Sequence, residues 1–358
     1  MRIWIHENQR VFGDRMITTD KDILLGFLLT EAEKLGLKKE QIFNVERIIF
    51  GDYMAGIDGE NRPYVQVDDL PLMLTKIGEY LEDFNSGSKH PMKLVMFLDA
   101  CDHTSRICRV LRQPQGNALL LGVGGSGRQS LSKLATFMSN YKMYQIEVVK
   151  GYSMTNWRDN LKFCLMQAGV EAKITTFLFV DTQIINEQML EDINNVLNSG
   201  DIPQLYKNED LEGIFTVGKQ ECQKKGLALN KMNMFSQYLG RVKSNLHCVL
   251  AMSPLGEIFR QRLLKFPSLV NCCTIDQFTN WPEEALLSVG KGSFADASEI
   301  ELGDDKDGCI EMFKIIHQSV EDMALRFLDE LRRQCYVTPT SYLELLTTYK
   351  KTFKERTK

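Results

Sequence analysis

From Asn117 to Pro254 short apolar runs alternate with amphipathic stretches. "NALLLG" precedes "GRQSLSKLATFMSNY", "MYQIEVV" precedes "TNWRDNLKFCLMQAG", "ITTFLFVD" precedes "NEQMLEDINNVLNSG", and "LHCVLAMSP" closes the series. Apolar runs without polar alternation predict strands buried on both faces, so the expected core is a parallel sheet sandwiched by helices. Ahead of it, "IWIHENQRVFGDRMI" places Ile3, Ile5, Val11 and Phe12 at helical spacing and predicts one short helix. "DILLGFLLTEAEKLGL" predicts a second helix ending near Gly36, and the stretch from Phe50 to Asn61 reads as irregular turns. "DDLPLMLTKIGEYLEDFN" and "PMKLVMFLDACDHTSRICRVLRQPQG" are helical patterns separated by the polar "SGSKH", the second punctuated by Pro114 and Gly116. After "NWPEEALLSVG" and a polar loop, "CIEMFKIIHQSVEDMALRFLDELRRQ" and "PTSYLELLTTYKKTFKERTK" predict a smaller helical unit.

Composition narrows the function classes. The chain has 358 residues, 44% of them hydrophobic, enough for a large core and two or three structural units. With 43 basic against 47 acidic residues it has no overall charge suited to nucleic acid or an anionic membrane, so neither is an expected partner. The nine cysteines form no CxxC pair, which points to reduced thiols rather than a disulfide framework or a zinc site. No apolar run reaches the roughly 18 residues of a membrane span, and "MRIWIHENQR" lacks the apolar centre of a secretion signal, so the expectation is a soluble intracellular protein.

The stretch "GVGGSGRQSL" sits between the first apolar run and the first amphipathic helix. In that order, successive amides of a loop wrap phosphate oxygens, and the helix that follows directs its positive end at them. The candidate cradle is Gly122, Val123, Gly124, Gly125, Ser126, Gly127, Arg128, Gln129 and Ser130. Two patterns compete for it. Gly122, Gly124 and Gly127 make GxGxxG, the dinucleotide fingerprint, with Glu147 at the separation expected of its acidic residue. Gly122 and Gly127 also frame GxxxxGK[ST], with Arg128 in the lysine position and Gln129 in the hydroxyl position. Glu147 falls inside an apolar run, whereas Asp181 ends "TTFLFVD", where a magnesium carboxylate of a triphosphate site belongs. The triphosphate pattern is therefore preferred.

Ser253 ends the run "LHCVLAMSP", at the position of a polar sensor of the γ-phosphate in ring-forming ATPases. Arg260 and Arg262 lie shortly beyond, two guanidiniums suited to reach a neighbour's nucleotide, although a solvated helix face carries the same residues. "GDDKDG" fails as a calcium loop, because aligning Gly308 with the required glycine puts Gly303 and Lys314 at ligand positions. His103 and the other histidines show no ligand spacing, so no metal besides magnesium is expected.

Taken in order, "LLLGVGGSGRQSLSKLA", "FLFVDTQIINEQMLEDINNVLNSGDIPQL", "HCVLAMSP", "FRQRLLKFPSLVNCCTIDQF" and "YVTPTSYLELL" resemble the fourth AAA+ module of axonemal dynein heavy chains. The resemblance implies an α/β AAA+ P-loop fold, a parallel sheet flanked by helices and followed by a small helical lid. It implies a closing helix of the preceding module at 1–18, a large subdomain with a helical lead-in at 19–280, a small subdomain at 281–340 and the start of the coiled-coil stalk at 341–358. It further implies ATP or ADP with magnesium as cofactors, and a six-module ring whose partners are its neighbouring modules. Through the parent heavy chain it implies microtubules at the stalk tip, intermediate and light chains, and a place in the cytoplasm, the cytoskeleton and the ciliary axoneme. Carried over by position, Gly122 to Ser130 hold phosphate, with Gln129, Ser130 and Asp181 on magnesium and Ser253 as sensor. Arg260 and Arg262 act as catalytic fingers on the preceding module's nucleotide, while Leu94 and Phe97 hold adenine.

Three positions depart from a hydrolytic site. Arg128 keeps the positive charge in a longer, forked form, Gln129 offers magnesium only an amide oxygen beside Ser130, and Thr182 stands where a glutamate would polarise water. Glu187 lies five residues on, at the start of the next helix. The last helix shows no arginine in "TPTSYLELLTTYKK", where lids of this class carry a second sensor. Binding with slow or absent hydrolysis is the expectation, and a nucleotide-free strain-transmitting module is the alternative.

Overall fold

The computed structural model describes residues 1–42, 47–56, 59, 62–295 and 305–356. An N-terminal helical unit comprises α1 (Arg2–Val11), α2 (Thr18–Lys34) and α3 (Lys39–Ile42), with Ile5, Leu28, Ala32 and Ile42 buried between them. A two-stranded antiparallel ribbon follows, β1 (Phe50–Gly51) and β2 (Val65–Gln66), the first of which falls in the stretch read as irregular turns. Next come α4 (Leu70–Gly87) and α5 (Leu98–Arg112). Asp69 caps α4 by accepting from the Leu72 amide at 2.9 Å.

The α/β core then runs β3 (Ala118–Leu121), α6 (Arg128–Met138), β4 (Lys142–Gln145), α7 (Met154–Gly169), β5 (Thr175–Val180), α8 (Gln188–Ser199), α9 (Asn208–Lys224), α10 (Lys231–Asn245), β6 (Leu246–Met252), α11 (Glu257–Lys265), α12 (Ser268–Asn271) and β7 (Thr274–Gln277). The five long-range strands are all parallel in the order β4-β5-β6-β3-β7, as the unbroken apolar runs predicted. β5 shows why: all six of its residues are buried, Phe177 and Phe179 facing the helix layer with Trp157 and Ile193, Leu178 and Val180 facing that with Ile107 and Leu134. Three helices complete the chain, α13 (Glu283–Ser293), α14 (Lys306–Leu331) and α15 (Pro339–Arg356), around Leu286, Phe313, Tyr342 and Leu346. The expected boundary at 340 falls inside α15, whose Tyr342 hydroxyl donates to Leu286 O at 2.8 Å.

Several sequence readings differ from these elements. Residues 91–97 are not helical; the Asn85 side chain pins Met92 through both its amide (2.7 Å) and its carbonyl (3.0 Å), and Leu94 and Phe97 pack as an extended strap. The β7 strand and the α9–α10 hairpin were not foreseen. β7 has only half-buried Ile275 as its aliphatic signal, and the hairpin's polar faces hide its packing positions Ile214, Cys222, Tyr238 and Val242. The "GDDKDG" reading rests partly on 303–304, which lie outside the described residues.

A buried charge cluster joins the N-terminal unit to the sheet. Arg106 on α5 reaches Asp102 (3.0 Å), Asp276 of β7 (3.0 Å) and Asp14 after α1 (3.3 Å). His103 pairs with Asp276 at 2.8 Å and stacks on Phe278 with ring centroids 3.9 Å apart. Burial opposes the charge on Asp276, but His103 and Arg106 outweigh it and hold the carboxyl far below its usual range. Burial likewise opposes charge on His103, and Asp276 outweighs it, raising the imidazole's pKa.

The sign of the pH dependence follows. The His103 contribution is fully present below the free imidazole value of about 6.5 and is lost as pH rises through the raised folded value, while the Asp276 contribution is present above the free carboxylate value of about 3.9. Asp276→Asn should cost about 3–5 kcal/mol, with one partner of a buried cluster removed. Urea unfolding should show the wild-type advantage larger at about pH 5.5 than at about pH 9.

Candidate functional site

The glycine loop hangs from β3, an inner strand of the sheet. Leu121 O accepts from the Phe278 amide at 2.7 Å and the Gly122 amide donates to Met252 O at 3.2 Å, so both neighbouring strands fix the turn. A Cβ on Gly122 would stand 2.8 Å from Phe278 Cβ, which excludes a side chain there. Gly125 (φ +78°) and Gly127 (φ +89°) adopt the left-handed conformation that other residues enter at a cost of roughly 1 kcal/mol. Gly127 leads into α6, whose first amides have no partner within the helix and project the positive end of its dipole.

Two polar groups on this loop are buried without partners: Ser126 Oγ, on a residue 6% exposed, and Arg128 Nη1. Arg128 Nη2 donates to Val123 O at 3.2 Å, which folds the guanidinium over the loop. Burial lowers its pKa, with Asp181 opposing the shift. Unsatisfied buried donors are costly, and a phosphate oxygen is the acceptor that fits them.

Gly125 to Leu131 line one side of a cavity of about 840 Å³ between the sheet and helices α13 and α15. Apolar side chains line it too, those of Leu94, Val95, Phe97, Trp281, Val289 and Leu343. Phe97 and Trp281 meet edge to face at 5.7 Å. Gly292 lets Val95 approach, since a Cβ there would be 2.6 Å from Val95 Cγ2. The cleft thus joins a group of apolar side chains, with Lys93 and Lys350 among them, to a cationic, amide-rich loop. Leu94 and Phe97 were foreseen in it; Val95, Trp281, Lys93, Lys133 and Lys350 were not. The Trp-Pro pair at 281–282, standing between the sheet and the helical unit, was the usable signal for Trp281.

Asp181 lines the cleft with the loop, and its Oδ2 accepts from the Ser253 amide at 2.9 Å. The following turn is held by Gln183, which accepts from the Val180 amide (3.0 Å) and donates to Ile146 O (2.6 Å), leaving Thr182 exposed. Glu187 is exposed and ion-paired with Lys265, a hydrogen bond that lowers its pKa. Ser130 lines the cavity beside Gln129, whose Oε1 accepts from Gln145 Nε2 at 3.3 Å. Gly122, Val123, Gly124 and the Ser253 side chain stand outside the lining. Arg260 and Arg262 lie on α11, also away from this cleft; Arg260 is exposed, and Arg262 is half-buried with Nε unpartnered. Glu147 is exposed beyond the end of β4. Among the described residues no group of three or more His, Cys, Asp or Glu side chains could chelate a metal, so a magnesium ion here would rest on Asp181, Ser130 or Gln129, water and phosphate.

The lid touches the loop directly. Thr340, in the first turn of α15, packs on Gly125, where a Cβ would overlap its hydroxyl and stand 2.6 Å from its backbone nitrogen. At the far end of the same helix Lys350 donates to Ser293 O.

A family model described as the P-loop containing dynein motor region D4 matches residues 92–352. The chain is 46% identical over 351 residues to dynein axonemal heavy chain 1 of Mus musculus, covering 98% of this chain and 8% of that protein. It is 43% identical over 365 residues to dynein axonemal heavy chain 6 of Homo sapiens, covering 100% of this chain and 9% of that protein. To the human dynein axonemal heavy chain 3 it is 41% identical over 369 residues, 98% of this chain and 9% of that one. The chain therefore spans less than a tenth of the length of these relatives.

Gly125→Ala should push α15 off the loop while adding roughly 1 kcal/mol of backbone strain. Amide hydrogen exchange should rise in the first turn of α15 and leave β5 and β6 unchanged.

Proposed function

The chain belongs to the P-loop containing dynein motor region D4 family, and from that premise we propose that it is a regulatory AAA+ module that binds ATP or ADP with magnesium and hydrolyses slowly or not at all. The observation that carries the reading is the pair of unpartnered loop groups, Ser126 Oγ and Arg128 Nη1, on the loop side of a cleft whose Asp181 is followed by Thr182. The apolar group of Leu94, Val95, Phe97 and Trp281 suits a purine, and the amides from Gly125 to Ser130 suit its phosphates. Asp181, with Ser130 or Gln129, would hold magnesium, which would supply neutralisation of phosphate charge.

Each residue then has a distinct task. Arg128 neutralises phosphate charge, with a fork that differs from a lysine's point charge. Asp181 is oriented by the Ser253 amide, so that residue contributes through its backbone. Thr182 cannot take a proton near neutral pH, and Glu187 is engaged with Lys265, so no carboxylate of this turn is placed to polarise water. Affinity and turnover separate because the first depends on loop donors and the second on a base.

In the parent heavy chain we assign the module to the motor ring of a ciliary microtubule motor, in contact with neighbouring modules and coupled through α15 towards the stalk. Microtubule contact, association with intermediate and light chains and an axonemal location belong to that parent. Arg260 and Arg262 are assigned to the preceding module's nucleotide. A second reading, a nucleotide-free strut, draws support from the seat of Thr340 on Gly125, which ties the loop to the lid by packing alone.

Calorimetry with ATP and magnesium distinguishes the two, since the strut gives no heat of binding. Turnover of the purified chain should stay far below one per second, and a rate near about one per second, at the low end of ordinary enzymes, would defeat the proposal. Thr182→Glu should raise turnover at least about tenfold, below the about 10²–10⁴ of a well-placed base because Gln129 still lacks a hydroxyl.

A further inference from the structure

A second cavity, of about 360 Å³, lies between α1, α2 and α5 and shares no lining residue with the nucleotide cleft. We propose that it binds a phosphate group bearing an acidic hydrogen, either free phosphate or a monoester.

Arg10 of α1 carries the argument. It lines this cavity, is only 5% exposed, and makes no hydrogen bond or ion pair among the described residues. Its neighbours are already committed: Arg47 pairs with Asp99 and Asp102, and Arg106 divides itself among Asp14, Asp102 and Asp276. Burial pulls the pKa of Arg10 down and the charge of Arg106 adds to the pull, while Asp276 and Asp14 only partly offset it. A buried guanidinium beside a second one, with no counter-ion of its own, is expensive unless an anion joins it.

Asp14 narrows the choice of anion. It is 7% exposed, and its Oδ1 faces Arg106 at 3.3 Å while Oδ2 is buried without a partner. Asp14 lines the same cavity, so an anion accepting from Arg10 there lies beside a carboxyl group with an unused lone pair. Sulfate has only lone pairs to present there at neutral pH. A phosphate group in its hydrogen-bearing form accepts from Arg10 through one oxygen and donates from its hydroxyl to Asp14 Oδ2, satisfying both orphans together. Lys21, exposed at the rim, adds positive charge on the approach.

The full chain should be titrated with inorganic phosphate, O-phosphoserine and sulfate by calorimetry, with circular dichroism confirming the fold. Binding of phosphate or phosphoserine, weakened at least about tenfold by Arg10→Gln, is expected, and whichever binds tighter identifies free or esterified phosphate as the source. Asp14→Asn keeps Arg10 and should narrow the preference for phosphate over sulfate at least about tenfold, which decides the matter even where Arg10→Gln does not fold. Phosphate binding untouched by Arg10→Gln, or sulfate bound by the wild type as tightly as phosphate, overturns the proposal.

Discussion

Everything at the cleft beside the glycine loop depends on how β3 ends. Its last carbonyl is taken by the Phe278 amide and the next amide is given to Met252, so the chain leaves the sheet held from both sides. A turn fixed in this way can keep two polar groups unpaired, because it is anchored to an inner strand flanked by β6 and β7. Without the clamp the loop could relax onto its own donors. The fully buried β5, which delivers Asp181 to the same edge, is the second fixed point.

The sheet and the loop were legible because their signals are local. Three apolar runs with no polar alternation mark the buried strands β3, β5 and β6, whereas β4, at the sheet's edge, has no buried residue and begins ahead of its apolar run; glycines between a strand and a helix mark a turn of the phosphate-binding type. Leu94 and Phe97 fell in the cleft on resemblance alone, while Trp281 and Val95 were hidden because the cleft's apolar lining is assembled from segments almost two hundred positions apart. β7 was invisible for a related reason. It is four residues long and owes its place to the exposed edge of β3 rather than to its own hydrophobicity. The strap at 91–97 shows tertiary packing overriding a helical pattern, with Asn85 supplying the backbone partners a helix would have used.

The charges divide by location. Around the proposed nucleotide the cations Arg128, Lys93 and Lys133 carry no ion pair among the described residues, whereas in the cluster under α1 Arg47 and Arg106 are matched and, of the buried cations, Arg10 is not. Sequence gave no warning of that cluster. Its members come from three separate segments, and His103, taken alone, has no distinguishing neighbour.

Asp276 and Phe278 sit two positions apart, and His103 grips both, one by hydrogen bond and the other by ring stacking. The floor of the glycine loop and the anchor of the first helices are therefore a single stiff part. A shift of Phe278 therefore disturbs the His103 stack and, through His103, the Asp276 pair, which couples the N-terminal helices to the loop.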